Sequence, residues 1–321
     1  MIVIRHASSA VLVAVLSAAC SNSTMPLPST PTHPRGVLGD RSGTIAGRPF
    51  GIAVSRAGVV YVTQQDSNRV TRLDLPSATP GVAISVGSDP GDVLFNAAGT
   101  AAYVSDFNSG GIHAINVDSN SQRGAATIAA NAYRLALSWD EQRLFVSSTD
   151  GNVYVVDPAA LSVTTTIHLS GPVQGLALNA TGQTLYASST DGTVFKINAG
   201  TGVIQTTASP GGKPQDIALS RDGGRLYVAN QAGWVDVLDA VALGRLQRFP
   251  LVGAFGLGLT PDGAQLYVTS PETGTLSILD ALTGSVVVSL PVGGVPRRVA
   301  FDATGETAVV TNEGNWVDIV R

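Results

Sequence analysis

Seven positions spaced about 41 residues apart hold most of the charge that could do chemistry in this chain: Gly51, Asp92, Arg134, Gly175, Asp216, Gly256 and Arg298. The residue before each is Phe50, Gly91, Tyr133, Gln174, Gln215, Phe255 or Arg297. Carboxylates, guanidiniums and aromatic rings in register would hold a small polar or anionic ligand if they converge on a concave rim. Changing Arg134 and Arg298 to Ala would then leave folding intact and weaken the ligand; as solvated rim residues they would instead simply pair with one another. Spacing alone does not separate the two readings.

Acid–base and metal chemistry have few other candidates. Of four histidines, His6 and His33 precede the repeats, and His113 and His168 fall in strands towards the outside. That removes a central histidine base or zinc ligand. Asp92 and Asp216 are the two carboxylates at the centre, and a hard divalent cation wants more oxygen ligands than two. No metal, cofactor or catalytic residue is assigned. The lone Cys20 excludes an internal disulfide and any paired-cysteine metal or haem motif.

The elements that must position these residues repeat with them. An anchor recurs as Tyr61, Tyr103, Phe145, Tyr186, Tyr227, Tyr267 and Val309, at intervals of 42, 42, 41, 41, 40 and 42 residues. Such a period marks a repeat architecture. Within one period the apolar runs are short, rich in β-branched and aromatic residues, and bounded by turn formers. In the fifth copy they are 216–220, 225–230, 234–238 and 245–249, which read as four antiparallel strands. The predicted fold is all-β: a seven-bladed β-propeller with four strands per blade.

Recurrent polar residues are explained by turns. A glycine closes the first hairpin in six copies, with Glu141 in the third; it predicts positive φ. Ser55, Asn96, Ser138, Asn179, Ser220, Thr260 and Asp302 precede that hairpin, where they would bond backbone two residues on. Asp74, Asp118, Asp157, Asn198, Asp239 and Asp280 follow the third strand. They occupy equivalent turns, one per blade, and so form no catalytic set.

The seventh repeat ends at Arg321 after its third strand, Trp316–Val320. The missing outer strand is predicted at the other end of the chain, over Asp40–Ile45, which would close the ring and remove its exposed edges.

The segments divide as 1–19, 20–36 and 37–321. Residues 7–19 are apolar and follow Arg5 and His6; too short to span a bilayer, they read as the core of a signal peptide. Residues 20–36 are rich in Pro, Ser and Thr and form a tether. Formal charge is −4 with only two lysines, so no basic stripe offers itself to nucleic acid.

Two resemblances follow. Leu16-Ser17-Ala18-Ala19-Cys20 resembles the lipobox of bacterial lipoproteins, although Ser17 stands where that family usually has Leu. It implies a lipid on Cys20, and Ser21 after it implies the outer membrane. Ordinary cleavage after Ala19 satisfies the same small-residue rule. Leu226-Tyr227-Val228-Ala229-Asn230, Leu266-Tyr267-Val268-Thr269-Ser270 and Val310-Thr311-Asn312 resemble the YVTN-type propeller repeat, and the first copy, from Pro49-Phe50-Gly51-Ile52 to Asn68-Arg69-Val70, resembles an NHL-type blade. Those families include envelope and surface proteins, lactonases, a streptogramin lyase and quinoprotein dehydrogenases. The lipobox resemblance implies an envelope lipoprotein, periplasmic or surface-facing, and the missing acid–base and metal groups make a non-catalytic scaffold for a protein or small ligand the expected function. A lactonase-like hydrolase at the channel mouth is the alternative.

Overall fold

Apolar runs of five to seven residues between turn formers leave no room for a helix, and none occurs among the described residues. The computed structural model describes residues 33–34, 36–75, 77–128 and 131–321. The expected signal segment, Cys20 and most of the expected tether lie outside them. The strands form seven sheets of four antiparallel strands each. Blade five shows the unit: innermost Pro214–Leu219, second Arg225–Asn230, third Trp234–Asp239 and outer Arg245–Pro250. Innermost strands of successive blades contact one another, so the sheets stand round a common axis as a seven-bladed β-propeller.

Burial follows from this placement. A second strand is covered on both faces by adjacent blades, so Val59–Gln64 is buried at every residue and loses the alternation of a half-exposed strand. An outer strand such as Ser162–His168 is mostly exposed. The apolar core is divided into one cluster per blade interface. Between blades seven and one it joins Val309, Val317 and Ile319 to Val60, Val62 and Leu73.

The turns form as expected, with one change of partner. Glu141 takes the glycine position of the first hairpin at φ 55°. The polar residue before that hairpin reaches four or five residues on instead of two. Ser220 Oγ accepts the Arg225 N–H at 2.8 Å, and Asn179 Oδ1 accepts those of Gln183 and Thr184, each at 2.9 Å. It ends the innermost strand, so its side chain faces the first donors of the returning strand. After the third strand, Asp157, Asp239 and Asp280 cap their turns through backbone N–H groups. In blade two that role falls to Asn116, two residues before Asp118.

Ring closure uses Leu38–Arg41, antiparallel to Trp316–Val320, with Arg41 opposite Asp318. The regular strand ends before the expected span does, yet the N–H groups of Ser42 and Ile45 still reach the Val317 and Asn315 carbonyls. Arg41 Nε donates to buried Asp318 at 2.9 Å and its guanidinium lies 4.2 Å over Trp316, whose Nε1 donates to Asp318 at 2.9 Å. Blade five builds the same clasp from Trp234, Asp236 and Arg248. In blade seven the arginine comes from the opposite end of the chain. Burial holds the Asp318 carboxyl above its ordinary pKa despite bonds from Asn312, Trp316 and Arg41.

Closure leaves one group without its partner. Tyr186 and Tyr227 donate to the Ala240 and Ala281 carbonyls, in the third-to-outer turn of the following blade. In blade seven that turn is replaced by two chain segments, where Val37 and Arg321 exchange backbone hydrogen bonds. The buried Tyr267 hydroxyl, which would use it, has no hydrogen-bond partner among the described residues.

Arg41→Ala is expected to cost about 1–3 kcal/mol by stripping buried Asp318 of a charged partner, measured by denaturant unfolding, with exposed Arg245→Ala as the silent control. Tyr227→Phe is expected to cost about 0.5–1.5 kcal/mol, while Tyr267→Phe is neutral or stabilising because it removes an unpaired buried hydroxyl; equal losses would contradict the missing acceptor.

Candidate functional site

Four charged side chains from the repeated column meet on the axis, one each from blades two, three, five and seven. Arg134 reaches Asp92 at 3.1 Å and Asp216 at 2.9 Å; Asp216 in turn lies 2.6 Å from Arg298. The chain Asp92–Arg134–Asp216–Arg298 alternates in sign and sums to zero. Arg134 and Asp216 bridge blades three and five across blade four, so the side chains span the channel. Asp92 and Asp216 have side chains no more than 5% exposed, and Arg298 only 3%. These groups pair with one another, as the simpler sequence reading held, but in the interior and not on a solvated rim.

Glycines in blades one, four and six make room for them. A Cβ on Gly256 would lie 2.1 Å from the Arg297 carbonyl oxygen, and one on Gly51 2.7 Å from that of Gly91. Backbones at the axis are too close there for a side chain to leave the strand.

Each carboxylate also holds a neighbouring blade. Asp92 Oδ2 accepts the Leu135 N–H at 3.0 Å, and Asp216 Oδ2 accepts that of Leu257 at 3.1 Å. Burial raises the Asp216 pKa, but Arg134, Arg298 and the N–H groups of Leu257 and Ile217 outweigh it, and the net shift is downward. Burial likewise opposes the charge of Arg134, and Asp216 and Asp92 overcome it, so its pKa is raised. The Asp216 carboxylate is therefore a committed anion, poorly suited to accept a proton near neutrality.

The preceding column closes the axis with rings. Phe50 packs edge-on against Tyr133 at 5.9 Å and Phe255 at 6.2 Å, and Phe107 against Tyr133 at 6.0 Å. The Arg298 guanidinium sits 5.2–5.7 Å from Phe50, Tyr133 and Phe255. Arg297 also stacks on Phe255, at 4.8 Å, and pairs with Glu313 at 2.7 Å. Gln215 is buried and donates to Gln231, whereas Gln174 keeps partial exposure. The residues of the expected mouth thus lie at the axis, mostly inside a filled plug, where Arg134, Gln174 and Arg297 keep partial exposure, as does the neighbouring Phe107.

The sequence reading missed the hydroxyl two residues after each anchor. Ser105 Oγ accepts the Asp92 N–H and donates to the Tyr133 carbonyl of the next blade. Ser147, Thr269 and Thr311 repeat both bonds, and Thr311 reaches Phe50 across the seam. The signal was present as Thr63, Ser105, Ser147, Ser188, Thr269 and Thr311, broken by Ala229. A second missed feature lies off the axis. Buried Asp106 stands 2.6 Å from His113 Nε2, at a position where other blades carry Gln64, Ser148, Ser189, Asn230, Ser270 and Asn312. Among the described residues no three His, Cys, Asp or Glu side chains are arranged to hold a metal.

Arg298→Ala is expected to cost about 3–5 kcal/mol by leaving a buried carboxylate short of its counter-charge. This reverses the expectation that the substitution spares the fold. Because the folded-state pKa of Asp216 lies below its ordinary value of 3.8, its contribution is present above that value and lost as pH falls through the depressed one. The stability gap between the native protein and Asp216→Asn should stay constant down to about pH 4 and narrow below it, read from denaturant unfolding; a gap that closes between pH 7 and 5 would contradict it.

No protein-family model matches the chain, and no curated protein does. Among solved structures, a chain of Kuenenia stuttgartiensis hydrazine synthase superposes with a TM-score of 0.79 at 17% identity, over 85% of this chain and 95% of that one. At that identity the likeness is one of fold, and the fold alone hosts many unrelated tasks.

Proposed function

We propose that this chain is a non-catalytic binding scaffold of the bacterial cell envelope, a YVTN-type propeller held to the outer membrane through Cys20. The observation that supports it is the commitment of the axial charges. Asp92 and Asp216 are neutralised by Arg134 and Arg298 and bonded to backbone N–H groups. A lactonase working there would need the same carboxylates free to hold a cation, in the space the two guanidiniums fill. What the plug leaves partly exposed includes Arg134, Arg297, Phe107 and Gln174, side chains suited to contact with a protein segment or a small polar ligand.

The test is the tagged chain, crosslinked mildly in its own envelope and analysed by mass spectrometry. A reproducible protein partner is expected, with recovery falling several-fold in the Arg297→Ala/Phe107→Ala double variant, since a few aromatic and arginine contacts carry most interface energy. Recovery of a lactone-hydrolysing activity that Asp92→Asn abolishes would replace the scaffold with the enzyme. Cys20→Ala is expected to move the protein from the membrane to the soluble fraction; retention in the membrane would remove the lipid anchor from the reading.

A further inference from the structure

In a blade of four antiparallel strands, the first-to-second and third-to-outer hairpins lie at one end. The second-to-third hairpin and the link to the next blade lie at the other. The two faces of the disc differ in their apolar decoration. Of the twelve large apolar side chains exposed among the described residues, all but Val82 and Val252 belong to the first end or to the parts of the outer strands leading from it. Trp139 (71% exposed), Val241 (71%) and Leu282 (60%) stand at its turn tips, and Val203, Val286 and Val287 on the adjoining strands.

Charges of both signs flank these tips: Asp140 and Glu141 follow Trp139, Asp239 and Asp280 cap the turns of Val241 and Leu282, and a cation lies beside each of the latter two. Lys196 Nζ lies 2.8 Å from the carbonyl of Val241, and Arg225 Nη1 3.4 Å from that of Leu282. An apolar tip beside a cation is the arrangement that settles into a bilayer interface, apolar side chain in the acyl boundary and charge among the phosphates.

The chain also arrives from this side. His33 Nδ1 lies 2.6 Å from Asp262 Oδ2, in the first hairpin of blade six, and Pro34 is buried. Twelve residues lie between Cys20 and His33, a span of about 45 Å when fully extended. A lipid at Cys20 would therefore be linked to the propeller through this face, where the described chain begins at His33.

We propose that the face carrying the first and third-to-outer hairpins docks on the membrane surface, so that the plug of Phe50, Phe107, Tyr133 and Phe255 faces away from it. This rests on the reading of Cys20 as the anchoring point. It deepens the scaffold proposal by fixing which face is presented to partners.

The three tryptophans report the orientation. Trp139 is on the proposed docking face, whereas Trp234 and Trp316 begin third strands at the other end. The protein matured by the cell is purified and placed on vesicles of phosphatidylcholine and phosphatidylglycerol with brominated acyl chains. If the mass of its N-terminal peptide shows no lipid, the Cys20 thiol is coupled to a maleimide headgroup in the same vesicles. Docking is then tested whichever way the anchor falls. Brominated chains are expected to quench roughly a third of the emission, the share of one tryptophan in three, since interfacial side chains reach the acyl boundary. Trp139→Phe keeps an apolar tip and should abolish the quenching. No quenching in the native protein, or quenching that persists in Trp139→Phe, would overturn the proposal. So would a concentration-dependent blue shift of Trp139 without vesicles, which would assign the face to a second copy of the chain.

Discussion

Seven sheets converge on one axis, and the hydrogen bonds that pass from blade to blade there are what the rest of the structure depends on. A backbone carbonyl facing the channel has no ladder partner on that side, and burying it unpaired is costly. In blades two, three, six and seven the hydroxyl after the anchor meets this need, accepting from its own innermost strand and donating to the next blade. Ala229 lacks that hydroxyl, and the two axial carboxylates add a second kind of blade-to-blade bond, Asp92 accepting the Leu135 N–H and Asp216 that of Leu257. The ion chain is thus an extension of the blade-to-blade network, and its arginines follow from the need to neutralise two buried carboxylates. Polar residues at the axis of a repeat protein do not by themselves mark a ligand site.

The fold was legible because each blade repeats its own evidence. Strand type, the first-hairpin glycine and the anchor recur, so errors in one copy are corrected by the others. Closure was legible from the truncated seventh copy. Its extent was not: pairing beyond Arg41 continues through Ser42 and Ile45 without regular strand geometry, and no residue pattern distinguishes the two. Asp118 was placed in the turn column because it is acidic and near the junction, whereas the cap depends on the residue that ends the third strand, Asn116.

The candidate site was legible in membership and not in depth. Repeat alignment brought Asp92, Arg134, Asp216 and Arg298 together correctly, because equivalent positions of a closed ring must surround one axis. Whether such a ring is a wet rim or a dry plug depends on how far the side chains reach. Glycines at 51, 175 and 256 decide that, by letting backbones approach so closely that four long side chains fill the remaining space. The glycines were visible as gaps in the column, but their effect required three dimensions. Asp106 and His113 lay unseen for a related reason: seven residues apart on two strands, they meet only through hairpin register.

The seam between the chain ends gathers the fold's remaining irregularities, and there is a common cause. At other interfaces a continuous third-to-outer turn gives a carbonyl to the preceding blade, as Ala240 and Ala281 do. At blade seven two separate segments lie side by side instead. The Tyr267 hydroxyl is left unpaired, and a cleft of about 860 Å³ opens beside the seam, lined by Arg56, Leu75, Asp302, Glu306, Arg321 and His33 among others. The compensation is the clasp of Arg41 on Trp316 and Asp318, which gives the junction the same side-chain chemistry as the unbroken blade five. A propeller must break its chain somewhere. Breaking it inside a sheet, with three strands from one end and one from the other, makes ring opening require the loss of backbone ladder bonds and a buried ion pair together, and not merely the separation of two apolar faces.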